Sequence, residues 1–206
     1  MATDAGFGYN GFTPYRHFAG GVIRMNAYQI LTSSTTGFND NIFSGDLVAR
    51  NADGTIETFS AGDGSATAPT LLGVFAGCQF VDSSGTVWFK PNWVASTACL
   101  TGSKITAWVY DDPMTTFLAT TTRNAESGVA SAQLDIGINA DHVVGTGSAL
   151  TGQSGSYVNM VSGTGTATAA LRILAYPDIP NNTLGLSGCR VEVMLNEHVY
   201  RLGIGT

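Results

Sequence analysis

Apolar and polar residues alternate at a period of two along much of this chain, and the alternation is broken at short spacing by Gly, Asn-Asp and Ser-Gly clusters. In "KITAWVY" the alternation puts Ile105, Ala107 and Val109 on one face and Thr106, Trp108 and Tyr110 on the other. "CRVEVMLNEHVY" likewise sets Val191, Val193 and Leu195 opposite Arg190, Glu192, Met194 and Asn196. Asp53-Gly54 in "VARNADGTIETF" and Ser84-Gly85 in "CQFVDSSGTVWFKP" stand between strand-like runs, where residues tolerant of positive φ close hairpins. No window combines the Leu, Glu, Lys and Ala density with the apolar stripe of a long helix. The expected fold is all-β with little or no helix, a β-barrel or jelly-roll-like sandwich that divides into two intimately packed β lobes. Val191, Val193, Leu195, Leu171, Ile173, Ile105 and Val109 should be buried.

A composition shift at "PNWVASTACLTGS" places the lobes at 19–98 and 99–206, with residues 1–18 as an extended N-terminal arm. Two Gly/Ser/Thr-rich stretches, 60–69 and 145–170, are expected as long loops or exposed hairpins. The second is expected to protrude as an excursion near 145–168.

Hydrophobic residues make up 44% of the 206, enough to bury a sizeable core. Charged residues are only 12%, against roughly a quarter in ordinary soluble domains, so Ser, Thr, Asn and Gly must cover much of the outside. The net charge of −6, with two lysines and seven scattered arginines, provides no basic stripe for phosphates, so nucleic acid is not an expected partner. The start lacks a basic segment followed by an apolar one, and no apolar run reaches membrane-spanning length. A cytosol-like compartment and no membrane partner are the expectation. Cys78, Cys99 and Cys189, odd in number and far apart, fit buried small hydrophobes better than disulfides or a zinc site.

The search for chemistry gives little. His17, His142 and His198 lack any metal-binding spacing. "GQSGS" at 152–156 departs from a nucleophile elbow because Ser156 stands where the last Gly should be. Asp111 and Asp112 are adjacent, but strand neighbours point to opposite faces, and Asp-Asp-Pro is ordinary turn chemistry. "FNDNIFSGD", with Asn39, Asp40, Asn41 and Asp46, lacks the ligand spacing of a calcium loop. No catalytic residue, cofactor or metal is expected, and the chain is not expected to be an enzyme.

One stretch is built differently. Residues 6–28, "GFGYNGFTPYRHFAGGVIRMNAY", concentrate aromatics and Arg, the residue types that anchor interfaces. Phe7, Tyr9, Phe12, Tyr15, Arg16 and Phe18 are therefore the candidate contacts, carried on an arm or a first-strand edge. On this expectation a chain lacking residues 1–18 still folds but no longer docks. The competing possibility is that these aromatics cap the protein's own barrel mouth.

The ordered set "GFTPYRHFAGGVIRMNAYQI", "NIFSGDLVARNADGTIE", "LLGVFAGCQF", "VYDDPMTTFLA", "IGINADHVVGTG" with "TGQSG", "LRILAYPDIPNNTLG" and "VEVMLNEHVY" resembles capsid decoration, or cement, proteins of tailed bacteriophages. The resemblance runs nearly end to end, although "YPDIPNN" departs from the turn expected there. It implies a virion structural protein on the outer face of the head, assembled in the host cytoplasm. Its partners would be the major capsid protein and copies of itself, as a homo-trimer or, in the alternative, a dimer. The other class that the composition allows is a carbohydrate-binding or adhesion module, with Trp88, Trp93 or Trp108 as sugar-stacking platforms. For these tryptophans, burial in the core is the expected state.

Overall fold

The structure, a computed structural model, describes residues 4–30, 40–60, 71–126, 128–161 and 169–200. The chain is all-β. Its strands fall into two six-stranded sheets and a small ribbon, and the helical content among the described residues is two single 3₁₀ turns, Asn124–Glu126 and Gln133–Asp135.

The first sheet comprises β1 (Thr13–His17), β10 (Thr115–Thr120), β11 (Asn139–Val143), β12 (Tyr157–Asn159), β13 (Leu171–Ala175) and β14 (Arg190–Leu195). Its order is β1-β10-β14-β13-β11-β12, antiparallel throughout. The far strand β12 curls back toward β10: the Val158 carbonyl accepts the Thr122 N–H at 2.9 Å and the Thr122 hydroxyl at 3.1 Å. The second sheet comprises β2 (Asn26–Ile30), β4 (Leu47–Arg50), β5 (Thr55–Thr58), β6 (Leu71–Val81), β7 (Val87–Lys90) and β9 (Thr106–Tyr110). Because β4 pairs with both β5 and β6, the strands β4-β5-β2-β9-β6 close into a barrel, leaving β7 outside as an edge. The ribbon pairs β3 (Ile42–Phe43) with β8 (Asn92–Trp93).

Both expected hairpins form, β4–β5 around Asp53-Gly54 and β6–β7 around Ser84-Gly85. Gly54 and Gly85 take φ of 84° and 87°, the left-handed region their turns require. All seven residues expected in the core are completely buried. They divide between two apolar clusters, and β4 and β6 serve both. Leu47, Ala49, Leu71 and Val74 face the first sheet's core, whereas Val48, Leu72 and Phe75 face the second's. A shift in register between Val48 and Ala49 lets β6 keep contributing to both sides. With both faces covered, β6 reads as the nearly unbroken apolar run LLGVF.

Three expectations are corrected. The lobe boundary lies after β9 rather than at residue 98, because Ile105, Ala107 and Val109 complete the barrel core of the first half. Residues 13–17 are not an extended arm but strand β1, paired with β10 in the sheet of the second half. The stretch from 145 to 161 is tucked in rather than protruding: Ser44 N–H donates to Gly152 C=O and Ser154 N–H to Ser44 C=O, at 2.9 and 3.0 Å. The rest of that stretch, 162–168, and most of the other loop, 61–69, lie outside the described residues.

Gly73 marks the tightest contact between β6 and β9. A Cβ there would stand 2.2 Å from the Tyr110 carbonyl oxygen and 2.8 Å from a Val109 methyl, and the backbone oxygen cannot move without parting the barrel. Gly73→Ala is expected to cost about 1–3 kcal/mol through overpacking, read as a lower urea midpoint at unchanged slope.

Candidate functional site

The leader is built into the fold residue by residue. The Phe7 ring lies under the Arg190 guanidinium at 5.4 Å. Tyr9 stacks on Tyr157 with ring centres 4.1 Å apart, and its hydroxyl accepts the Arg123 N–H at 2.7 Å. Arg123 in turn donates to Asp4 at 3.0 Å, which fastens the start of the described chain to the turn after β10. Phe12 is 1% exposed and belongs to the first sheet's core. Arg16 forms a two-pronged ion pair with Glu192 of β14, at 2.7 and 2.8 Å. Glu192 is thereby buried, although alternation alone would send it to solvent.

Of the six candidate contacts, the structure therefore directs Phe7, Tyr9, Phe12 and Arg16 to the protein's own sheets. Tyr15 and Phe18 remain on the surface, 44% and 56% exposed. In the loop joining β1 to β2, Val22 and Met25 are also uncovered, 85% and 48% exposed, and Arg24 is largely exposed. Val22 and Met25 were not singled out from sequence, because nothing in an isolated Val or Met marks it as uncovered. Within residues 15–25 four apolar or aromatic side chains and one guanidinium are thus uncovered.

A second exposed apolar surface lies on β7, where Val87, Trp88 and Phe89 are all open to solvent. Phe89 stacks on Trp108 at 6.1 Å, the Lys90 ammonium lies 5.0 Å from the Trp88 ring, and the Trp88 indole N–H donates to Asp82 at 2.8 Å. The three tryptophans thus differ. Trp93 is fully buried against Phe80, Trp108 is half-buried under Phe89, and Trp88 stands at the edge, contrary to its expected burial.

The polar groups that invited chemistry have structural partners. Asp46 is buried beside a cleft of about 430 Å³. Its carboxylate accepts the hydroxyls of Ser154 and Ser156 at 2.5 and 2.8 Å and the Phe43 N–H at 2.8 Å. Burial raises its pKa against those bonds. Ser154 and Ser156 are thus donors to a carboxylate, pinning the 148–156 turn to the β3–β4 loop. Asp111 is buried and accepts from Asn26 and from Tyr28, at 2.9 to 3.0 Å and 2.5 Å respectively. Asp112 instead accepts the Met114 N–H at 2.9 Å in a turn and faces His17 at 3.4 Å. The two adjacent carboxylates share no ligand position. Among the described residues no group of three or more His, Cys, Asp or Glu side chains could hold a metal ion. Burial pushes the Cys78 thiol up to about 12, which keeps it protonated and unreactive at neutral pH.

Fold and surface together define an all-β protein of two rolled sheets sharing a wall, with apolar side chains exposed on β7 and along residues 15–25 and its polar clusters engaged in internal bonds. Comparison with known protein families, characterised proteins and solved structures returns no match to this chain.

Proposed function

We propose that this chain is a virion structural protein that decorates the outer face of a tailed-phage head and ties neighbouring major capsid protein subunits together. The observation that carries this reading is that Tyr15, Phe18, Val22 and Met25, close together in the sequence with Arg24 among them, are all left uncovered. Aromatic and apolar side chains accompanied by an Arg are the composition of an interface centre, and of these Tyr15 is carried by strand β1, which is paired into the sheet, while Phe18, Val22 and Met25 belong to the loop that follows it. The acidic, weakly charged surface suits a protein-coated shell rather than packaged DNA. Its partners are the major capsid protein and further copies of itself. It is assembled in the host cytoplasm and carried on the virion, with neither nucleic acid nor membrane as a ligand.

The test uses phage heads lacking the protein. Tyr15→Ala with Phe18→Ala is expected to weaken binding to those heads by at least tenfold, since losing an interface anchor costs upward of about 2 kcal/mol. Both side chains lie outside the core, so the melting temperature should hold. A double variant that saturates bare heads with wild-type affinity would sink these side chains as the lattice contact. The carbohydrate-binding reading keeps Trp88 alone as an open platform, because Trp93 is buried and Trp108 is covered.

A further inference from the structure

Two of the end strands, β1 and β7, are managed differently. On β1, Pro14 removes a donor, the register to β10 breaks between Pro14 and Arg16, and Arg16 crosses toward Glu192. These are devices that blunt an edge. On β7 there is no Pro and no register break from Val87 to Lys90, and three consecutive exposed side chains are apolar. An unbroken apolar edge of that kind is a template for another strand.

The register also fixes which backbone groups are open. Asp82 N–H donates to Thr86 C=O at 2.9 Å, which makes these two a hydrogen-bonded pair. Antiparallel pairs alternate, so Trp88 opposite Phe80 and Lys90 opposite Cys78 also turn their N–H and C=O toward β6. Val87 and Phe89 must then direct theirs outward. The Val81 carbonyl agrees with this phase, because it accepts from Leu100 on the side away from β7.

We infer that β7 is a self-association edge, through which two copies pair antiparallel about a two-fold axis at Trp88 and join their sheets. Val87 of each copy exchanges both backbone bonds with Phe89 of the other, four bonds in all, and the two Trp88 residues face each other in a pair of the closely spaced kind. The register is its own complement, as a two-fold contact demands, and it closes after two copies. Charge agrees with it. Lys90 of one copy falls opposite Thr86 of the other, whose N–H is held by Asp82 at 2.9 Å, so two Lys–Asp pairs of opposite sign flank the axis. Asp82 is negative at any physiological pH, since the bonds from Trp88 and Thr86 lower its pKa to about 2. This geometry selects the dimer over the trimer, and it stands independently of the lattice contact proposed for β1.

Sedimentation equilibrium of the full chain at tens of micromolar is expected to give twice the chain mass. Val87→Pro removes an outward-facing donor and leaves the β6 ladder whole. It should weaken the dimer at least tenfold while preserving the far-ultraviolet spectrum. Trp88→Cys should cross-link copies through a disulfide on mild oxidation, because the closely spaced pair brings the two Cβ atoms within bridging range, while the wild-type chain should not. The cross-link decides the matter if Val87→Pro fails to fold. A chain that stays monomeric overturns the inference, as do a wild-type-like oligomer in Val87→Pro, absence of the Trp88→Cys cross-link, or a monomer that binds glycans through Trp88.

Discussion

Removal of residues 1–18 is expected to prevent folding rather than merely to abolish docking, and Phe12→Ala alone should destabilise the chain by about 3–5 kcal/mol. That loss corresponds to a fall in melting temperature on the order of 10 °C for a chain of this size. Phe12 is completely enclosed among Leu47, Val74, Phe117 and their neighbours. Its position is enforced by Gly11 at φ 67°, where a Cβ would stand 2.5 Å from the Gly45 carbonyl oxygen. The deletion would also strip β1 from its sheet, the Tyr9 ring from Tyr157, and the Arg16 counter-charge from the buried Glu192. Burying a carboxylate without its partner is among the costlier changes a fold can suffer. Thermal melts followed by circular dichroism check both variants, and a truncated chain that melts like the full one would overturn this placement of the leader.

Acid should weaken the fold well before its carboxylates are neutralised. His198 is completely buried, its Nδ1 accepts the Tyr200 N–H at 3.1 Å, and burial lowers its pKa to about 4. The unfolded chain, with its histidine near 6.5, therefore takes up the proton first. The stability that this group contributes is fully present above that value and is lost as pH falls toward about 4, a change of about 3 kcal/mol. Asp46 and Glu197 act in the opposite sense, since burial raises their pKa values and lets the folded state bind protons more readily. Urea midpoints across this pH range should therefore fall less steeply for His198→Gln than for the wild-type chain. Equal slopes would remove His198 as the cause.

What the sequence discloses is mostly local. The turn pairs Asp53-Gly54 and Ser84-Gly85 and the alternation in β9 depend on neighbouring residues, so they could be read without knowing the rest of the chain. Burial of Glu192 and Met194 was not legible in the same way. Their face of β14 should be polar by alternation, and Glu192 is covered only because Arg16 arrives from the opposite end of the chain. The division of the leader was not legible for the same reason. Aromatics with glycine have the composition of a docking surface and of a core plug alike, and only long-range pairing separates Phe12 from Phe18. Trp88 and Trp108 show the converse, since both sit in strand runs and their fates depend on which strand ends the sheet.

The partnership of Arg16 with Glu192 has a consequence in time. The two residues are 176 positions apart, so when Arg16 leaves the ribosome its counter-ion has yet to be made. At ordinary rates of synthesis the wait is roughly 10 to 35 s. For the first part of it β1 has no β10 to pair with, and until its end Phe12 has no complete cavity to enter. The most aromatic segment of the nascent chain is thus born first and housed last, and the half-made protein must carry it through a crowded cell uncovered.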